Sequence, residues 1–338
     1  MKIAVIGCGG IGGVVTGVLA AGKQNVCGIE LSGKTREALR DKGLRLEGKK
    51  GSYRANVQVF SRLSDTEERF DVIIIAVKSG ALHSVFIEAK QKLCRGGFIL
   101  TLQNGIEVID LAEHYPEVKI IAGAVGYNAQ MVDFGSYRVT SQGGVTVGNL
   151  TCATEDDIFL LKSIFEPLIP VDVTRNTTGV LWAKLLVVCA VTGLGGATGL
   201  LLGELLKRRI SRKLFYRIVT EGVLVARAKG VCIEKFAGGV NPEKFASLKG
   251  GYPLPIRWLI LNLVGMKYRK LKSNIHQSLE RGQKTEVDYL NGKIQRIGKE
   301  TGIRTPVNGK ITQIVKEIEV GKRSMHPNNL FEIWKEKM

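Results

Sequence analysis

The sequence predicts two domains of different class: an α/β domain built on a parallel sheet, then an all-α domain. Three observations carry this. Up to about Asn176, short β-branched runs alternate with amphipathic helical segments, the pattern of a sheet with helices on both faces. Beyond Asn176 the β runs stop and long helical periods take over. A glycine-rich stretch, GCGGIG from Gly7 to Gly12, separates the first predicted strand from the first predicted helix. The domains are placed at 1–176 and 177–338. The junction falls in RNTTG (175–179), where Thr177 or Thr178 can cap the helix that follows.

Residues 2–6 (KIAVI) read as the first strand and 11–21 as the first helix. Residues 25–30, 71–77, 98–102 and 119–125 read as further strands, with helices over 81–93 and 106–114 between them. Two runs, 137–141 and 145–147, predict an antiparallel hairpin near the end of this domain. A helix over 156–168 and a short strand over 171–174 complete it. The second domain reads as helices over 178–191, 204–229, 255–267, 273–280, 285–301 and 307–320. No internal repeat and no low-complexity tract interrupts the chain.

Composition sets the class. Apolar residues make up 44% of the 338 and charged residues 24%, which suits a globular chain with a substantial core. The N-terminus leads straight into strand material and not into a leader pattern. The longest run with membrane character, 258–266, is about half of what a span needs. A cytoplasmic protein is expected. Six cysteines are scattered, with no CxxC pair and no metal-ligand spacing, so reduced thiols and no metal are expected.

The charge is lopsided. Formal net charge is +18; Lys and Arg number 20 against 19 acids in residues 1–176, but 29 against 12 in residues 177–338. Such a field attracts anions. The densest clusters are KRRISRK (207–213) and MKYRKLK (266–272). They lack the interleaved aromatics of a base-stacking surface, so nucleic acid is not expected as a partner. Trp258 and Tyr268 near the second cluster keep a peripheral membrane contact open.

GCGGIG fits the dinucleotide fingerprint in its full context, strand before and helix after, and makes the first domain Rossmann-type. Gly7 permits the tight turn, Gly9 lets the backbone approach a pyrophosphate, and Gly12 allows close packing of helix on strand. Cys8, Gly10 and Ile11 complete the loop, whose helix start offers free N–H groups to phosphate. The second strand ends in Glu30, which can accept hydrogen bonds from ribose hydroxyls and repel a 2′-phosphate. That favours NADH. Lys34 and Arg36 lie just beyond and could reach a phosphate, so NADPH stays open. Lys78 in AVKSG and Asn104 in LQNG follow successive strands, at the sheet edge where ligands bind.

The segment VLWAKLLVVCAVTGLGG (180–196) raises a separate question. Leu181, Lys184, Leu185, Val188 and Thr192 share one helical face, so a lysine projects from an apolar stripe. A buried lysine has a lowered pKa, which suits a general acid working near neutrality. A snorkelling side chain is the alternative. In GQKTEVDYLNGKI (282–294), Val287, Leu290, Ile294 and Ile297 make a buried face with Glu286 at its edge.

GCGGIG, AVKSG, LQNG, LWAKL and KTEVDYLNG, in that order, make the chain resemble the ketopantoate reductase family over essentially its whole length. The resemblance implies a Rossmann domain followed by an all-helical domain, with the site in the cleft between them. It implies reduction of a branched 2-oxo acid with a nicotinamide cofactor, NADPH being the family default. By it, Lys184 is implied as the proton donor to the carbonyl oxygen, and Glu286 as a catalytic acid that helps fix the cofactor or substrate. Asn104 is implied to contact cofactor and substrate, Ala129 in GYNAQ to touch the cofactor through its backbone, and Lys78 to lie on the cofactor side. Substrate contacts are implied at Val188, Thr192 and Asn274 as well.

Here the chain departs from the family. The family's lysine helix carries asparagines where this chain has Val188, Thr192 and, further on, Leu202; a family serine is matched by Asn274. A pocket that exchanges such donors for apolar groups loses roughly 1–3 kcal/mol per missing hydrogen bond to a polyhydroxy acid. The sequence therefore predicts an NAD(P)H-dependent, homodimeric reductase of a small anionic 2-oxo acid, with a pocket more apolar than the family's. A dinucleotide-sensing or anion-binding protein without catalysis is the alternative.

Overall fold

Ile73, Ile74 and Ile75 are fully buried in succession, which a strand permits only where both faces of its sheet are covered. Burying each such side chain contributes roughly 1.5–3 kcal/mol. The computed structural model describes residues 1–48, 51–166, 168–235, 240–246 and 250–336. They divide into two compact units, Met1–Thr177 and Thr178–Met338.

The first unit begins β1 (Lys2–Ile6), α1 (Gly10–Ala21), β2 (Asn25–Ile29), α2 (Gly33–Lys42), β3 (Leu44–Gly48), β4 (Tyr53–Ala55) and β5 (Gln58–Phe60). It continues β6 (Phe70–Ile75), α3 (Leu82–Lys92), β7 (Leu93–Thr101), α4 (Glu107–His114) and β8 (Ile120–Val125). It ends β9 (Ala129–Asp133), β10 (Ser136–Val139), β11 (Val145–Asn149), α5 (Glu155–Phe165) and β12 (Val171–Val173). Eight strands form one sheet in the order β12-β11-β8-β7-β6-β1-β2-β5. All neighbours are parallel except β11 against β8. This is the Rossmann-type α/β arrangement. Local signals set the helix starts. Ser32 accepts the Thr35 N–H at α2, and Thr154 and Asp157 cap each other's backbone at α5. Pro167, in the predicted helix over 156–168, lies outside the described residues.

The expected hairpin of 137–141 with 145–147 does not form. β10 joins a second, four-stranded sheet, β4-β3-β10-β9, while β11 pairs with β8 in the main one. Gly143, with φ +152°, and Gly144 link the two. Their backbone runs against Gly126 and Pro170 too closely for any side chain, so the chain crosses from one sheet to the other there. β10 pairs instead with β9 just before it and with the distant β3, and β11 with β8 and β12. The second sheet also contains β3, β4 and β9, short strands that the apolar pattern did not reveal.

Among its described residues the second unit has helices and no strand: α6 (Thr177–Thr198, whose first residue closes the first unit), α7 (Leu202–Lys207), α8 (Arg209–Ala228), α9 (Pro242–Phe245) and α10 (Leu254–Lys267). Then come α11 (Asn274–Glu280), α12 (Asn291–Glu300), α13 (Pro306–Glu319) and α14 (Asn329–Lys335). Two expected helices are broken. The one over 204–229 splits at Arg208, which is extended (φ −82°, ψ 125°). The one over 285–301 becomes a 3-10 turn at Val287–Tyr289, a kink at Leu290 and then α12. The apolar face of Val287, Leu290, Ile294 and Ile297 stays buried through the kink.

One reading of the apolar runs is corrected. The 22-residue α6, and not 258–266, is long and apolar enough to cross a membrane. Its most apolar stretch is 83% buried inside the protein, so it serves as a core helix. Polar ties lock its neighbours. Asn291 donates to the Cys189 carbonyl and to Asn308 Oδ1, at 3.3 and 2.9 Å. The buried Glu221 carboxylate accepts the Val307 and Asn308 N–H groups, both at 2.9 Å, satisfying the open start of α13.

Candidate active site

The glycine loop is dictated by space. Gly7 sits at φ +89°, and a Cβ there would come within 2.9 Å of Val77 Cγ1. A Cβ on Gly12 would overlap the Gly7 carbonyl oxygen outright. Neither position can carry a side chain. Gly9 is different: nothing lies within 4 Å of where its Cβ would be. Gly9 N-caps α1 without a side-chain cap, so the helix start presents open N–H groups beside free space. This is a cradle of the kind a pyrophosphate fills.

The loop is braced from two sides. Tyr137 Oη donates to the Cys8 carbonyl at 2.7 Å, and its ring lies against Gly13. The Cys8 N–H donates to Glu30 Oε2 at 2.8 Å, while Glu30 Oε1 accepts the Ser32 N–H at 2.9 Å. Burial pushes the Cys8 thiol up to about 12, so it is an inert filler and contributes its backbone alone. The Ala129 carbonyl approaches Gly10, within 2.8 Å of where a Cβ would stand. Arg36 Nη1 donates to the Glu30 and Leu31 carbonyls at 2.7 and 2.6 Å, bringing a cation to the same strand end; Lys34 is exposed. Lys78 is exposed just past β6, and Asn104 is half-buried just past β7. Ile11 is half-buried at the start of α1. The structure thus gathers Gly7–Gly12, Glu30, Lys78, Asn104 and Ala129 within one unit; Gly7–Gly12, Glu30, Lys78 and Asn104 follow the carboxyl ends of β1, β2, β6 and β7, while Ala129 opens β9, beside Gly10. Sequence reasoning missed Tyr137, which carries no motif, and Gln103, a buried neighbour of Asn104 inside the same LQNG.

In the second unit Lys184 is 4% exposed, with Leu181 and Leu185 buried along its stripe and Val188 half-buried. Burial lowers its pKa from the ordinary 10.5 to about 8, and the Glu286 carboxylate opposes that shift. The fold thus holds the ammonium roughly 3 kcal/mol less stable than water does. Glu286 itself is half-buried where the 3-10 turn Val287–Tyr289 begins. The turn is set by Thr285, whose Oγ1 accepts the Val287 N–H at 3.2 Å. Lys184 and Glu286, about 100 residues apart, are therefore electrostatic neighbours.

Thr192 is buried two turns past Lys184. Its hydroxyl donates to the Val188 carbonyl at 2.8 Å, which spends its only proton inside the helix. Asn274 is exposed, whereas its neighbour Ser273 is buried, donates to the Thr192 carbonyl at 3.4 Å and caps α11. Ser273 is thus the residue of that pair that meets α6; the sequence marked it only as the first residue of the helix over 273–280. Among the described residues no three His, Cys, Asp or Glu side chains cluster for a metal.

Comparison with known proteins decides what this pair of sites belongs to. The family model for ketopantoate reductase PanE/ApbA matches residues 3–151, and its C-terminal counterpart matches residues 176–319. The chain belongs to the ketopantoate reductase family. It is thereby an oxidoreductase, and its two matched segments correspond to the α/β and helical units. A 2-dehydropantoate 2-reductase of Halobacterium salinarum is 25% identical over 318 residues, spanning 94% of this chain and 98% of that one. A PanE/ApbA family ketopantoate reductase from Ralstonia eutropha is similar in structure, with a TM-score of 0.80 at 28% identity over 95% of this chain and 99% of that one. D-mandelate dehydrogenase, solved with NADH and anilino(oxo)acetate, shares the fold with a TM-score of 0.82 at 22% identity, over 95% and 99% of the two chains.

Proposed function

We propose that this chain reduces a 2-oxo acid to the 2-hydroxy acid with NAD(P)H, and that the acid is more apolar than ketopantoate. The observation that carries the chemistry is the buried Lys184 with its pKa lowered to about 8. A bound nicotinamide supplies the hydride. Lys184 gives its proton to the carbonyl oxygen as negative charge develops there, and the neutral amine is reprotonated from water. Glu286 keeps enough of the lysine protonated near neutrality for this to work. A protein that only senses dinucleotide gains nothing from a proton donor buried at such cost.

The residues of the first unit fit a dinucleotide. The space beside Gly9 and the uncapped start of α1 would take the pyrophosphate, and Glu30 would take the ribose hydroxyls. Each Glu30 oxygen already accepts one backbone N–H and has a second lone pair for a hydroxyl. We favour NADH on this ground; Arg36, bonded to the same strand end, is the feature that supports NADPH instead.

The apolar substrate follows from Val188 and Thr192. Neither has a proton left to donate to a hydroxy acid. That D-mandelate dehydrogenase of the same fold was solved with an anilino(oxo)acetate supports an aromatic or branched apolar acid. A panel of 2-oxo acids assayed with NADH and NADPH side by side tests all of this. Apolar acids are expected to exceed ketopantoate in kcat/KM, and NADH to exceed NADPH. Full efficiency on ketopantoate would remove the substrate argument, and a marked NADPH preference would remove the one from Glu30. We place the reaction in the cytoplasm, where its six free thiols stay reduced.

A further inference from the structure

Helix α10 packs one face on α7, where Leu261 and Gly265 are buried and Gly265 fits against Leu206. Its opposite face is apolar and uncovered. Ile256, Leu259, Leu263 and Met266 follow one another at offsets of 3, 7 and 10, a single helical stripe. They are 44%, 57%, 56% and 75% exposed. Four large apolar side chains in line are a patch, not scattered exposure.

The surroundings of the stripe are cationic. On one flank Arg212 reaches Asn262 at 2.6 Å; on the other stands exposed Lys267. Behind the helix, arginines and aromatics alternate. Arg209 and Arg212 lie 6.0 and 5.2 Å from the Trp258 ring, and Arg257 lies 4.8 Å from Tyr216. The series continues onto α14, with Lys213 and Arg217 at 5.3 and 5.0 Å from Trp334. No acid pairs with Arg209, Arg212, Lys213, Arg257 or Lys267 among the ion pairs of the described residues.

We propose that α10 docks this protein on a membrane surface of anionic phospholipid, apolar stripe inward and cationic flanks against the headgroups. An amphipathic helix with these two features lies in the interface plane. Charge selects the occupant. A second copy would bring like against like, since this half of the chain holds 29 basic residues against 12 acidic. Nucleic acid would need open aromatic faces, and here Trp258 and Trp334 are covered by the protein's own cations. An anionic bilayer satisfies both the stripe and the flanks.

The test is co-sedimentation of the full chain with vesicles. Phosphatidylcholine alone is compared with phosphatidylcholine mixed with phosphatidylglycerol, at low and at high salt. Binding is expected to the mixed vesicles only, weakening about tenfold or more as salt rises. The double variant Leu259→Asp, Leu263→Asp is expected to lose binding at least tenfold while keeping wild-type turnover and melting temperature. Equal binding to the two vesicle types, no binding to either, or binding unchanged in the double variant overturns the proposal. So does light scattering that shows a wild-type dimer split by the same variant, which would assign the face to a second copy.

Discussion

On the proposed mechanism, the pH dependence of the reduction reads directly on the buried lysine. With a pKa of about 8, Lys184 is about nine-tenths protonated at pH 7 and about one-tenth at pH 9. A lysine at its ordinary 10.5 would be almost fully protonated at both. The proton donor is the charged form, so kcat/KM for reduction is expected to fall about tenfold between pH 7 and pH 9. This ratio reports the free enzyme, whose state the structure describes. Glu286→Gln removes the carboxylate that raises the lysine pKa. The basic limb then moves to lower pH, and the variant loses more activity relative to wild type at pH 8 than at pH 6. Stability moves oppositely. A lysine whose folded pKa is depressed favours its neutral form in the fold, so its contribution is complete above 10.5 and is lost as pH falls through about 8. The assay is a stopped-flow or steady-state profile of cofactor oxidation on one 2-oxo acid. A profile flat from pH 7 to 9.5 would refute the reasoning, as would a Glu286→Gln variant reduced by one constant factor at every pH.

Lys184→Met, which keeps the packing but carries no proton, is expected to cut turnover by about 10²–10⁴-fold while nucleotide binding, read by fluorescence, survives; loss of binding with turnover would remove the assigned role. Gly9→Ala and Gly12→Ala separate cradle from scaffold. The first adds a methyl to open space and should raise the cofactor KM with no change in melting temperature, whereas the second drives a methyl into the Gly7 carbonyl and should lower the melting temperature markedly. Restoring donors with Val188→Asn and Thr192→Asn together should shift the kcat/KM ratio toward ketopantoate by about tenfold or more, one to two hydrogen bonds' worth; an unchanged ratio would place these side chains away from the substrate.

The parallel core was legible because its strands are unbroken apolar runs, and the glycine loop because Gly7 and Gly12 stand where contact distances allow no side chain. The helical half was legible as a class, yet its breaks at Arg208 and Leu290 were not. Neither Arg208 nor Leu290 is a glycine or a proline, so no helix-breaking residue marks either position. Leu290 kinks while keeping the same face inward, so periodicity carries no trace of it. The second sheet escaped because its two local pairs, β3 with β4 and β9 with β10, are joined only by β3 against β10, Arg45 opposite Ser136, a distant pairing that no local pattern announces. The lysine was visible as a charge on an apolar stripe. Its acid lay at the edge of a face, with only the motif to mark it. Between Ser273 and Asn274 the sequence offered two adjacent polar residues, and burial against α6 alone distinguishes them.

Glu30 ties the Cys8 and Ser32 backbones together while offering its spare lone pairs outward. On the proposed reading, one carboxylate serves as both mortar and reader. Anyone re-engineering nucleotide choice at this strand end would unfasten the phosphate turn in the same stroke, so a clean switch needs a second substitution that holds the Cys8 amide once the acid is gone.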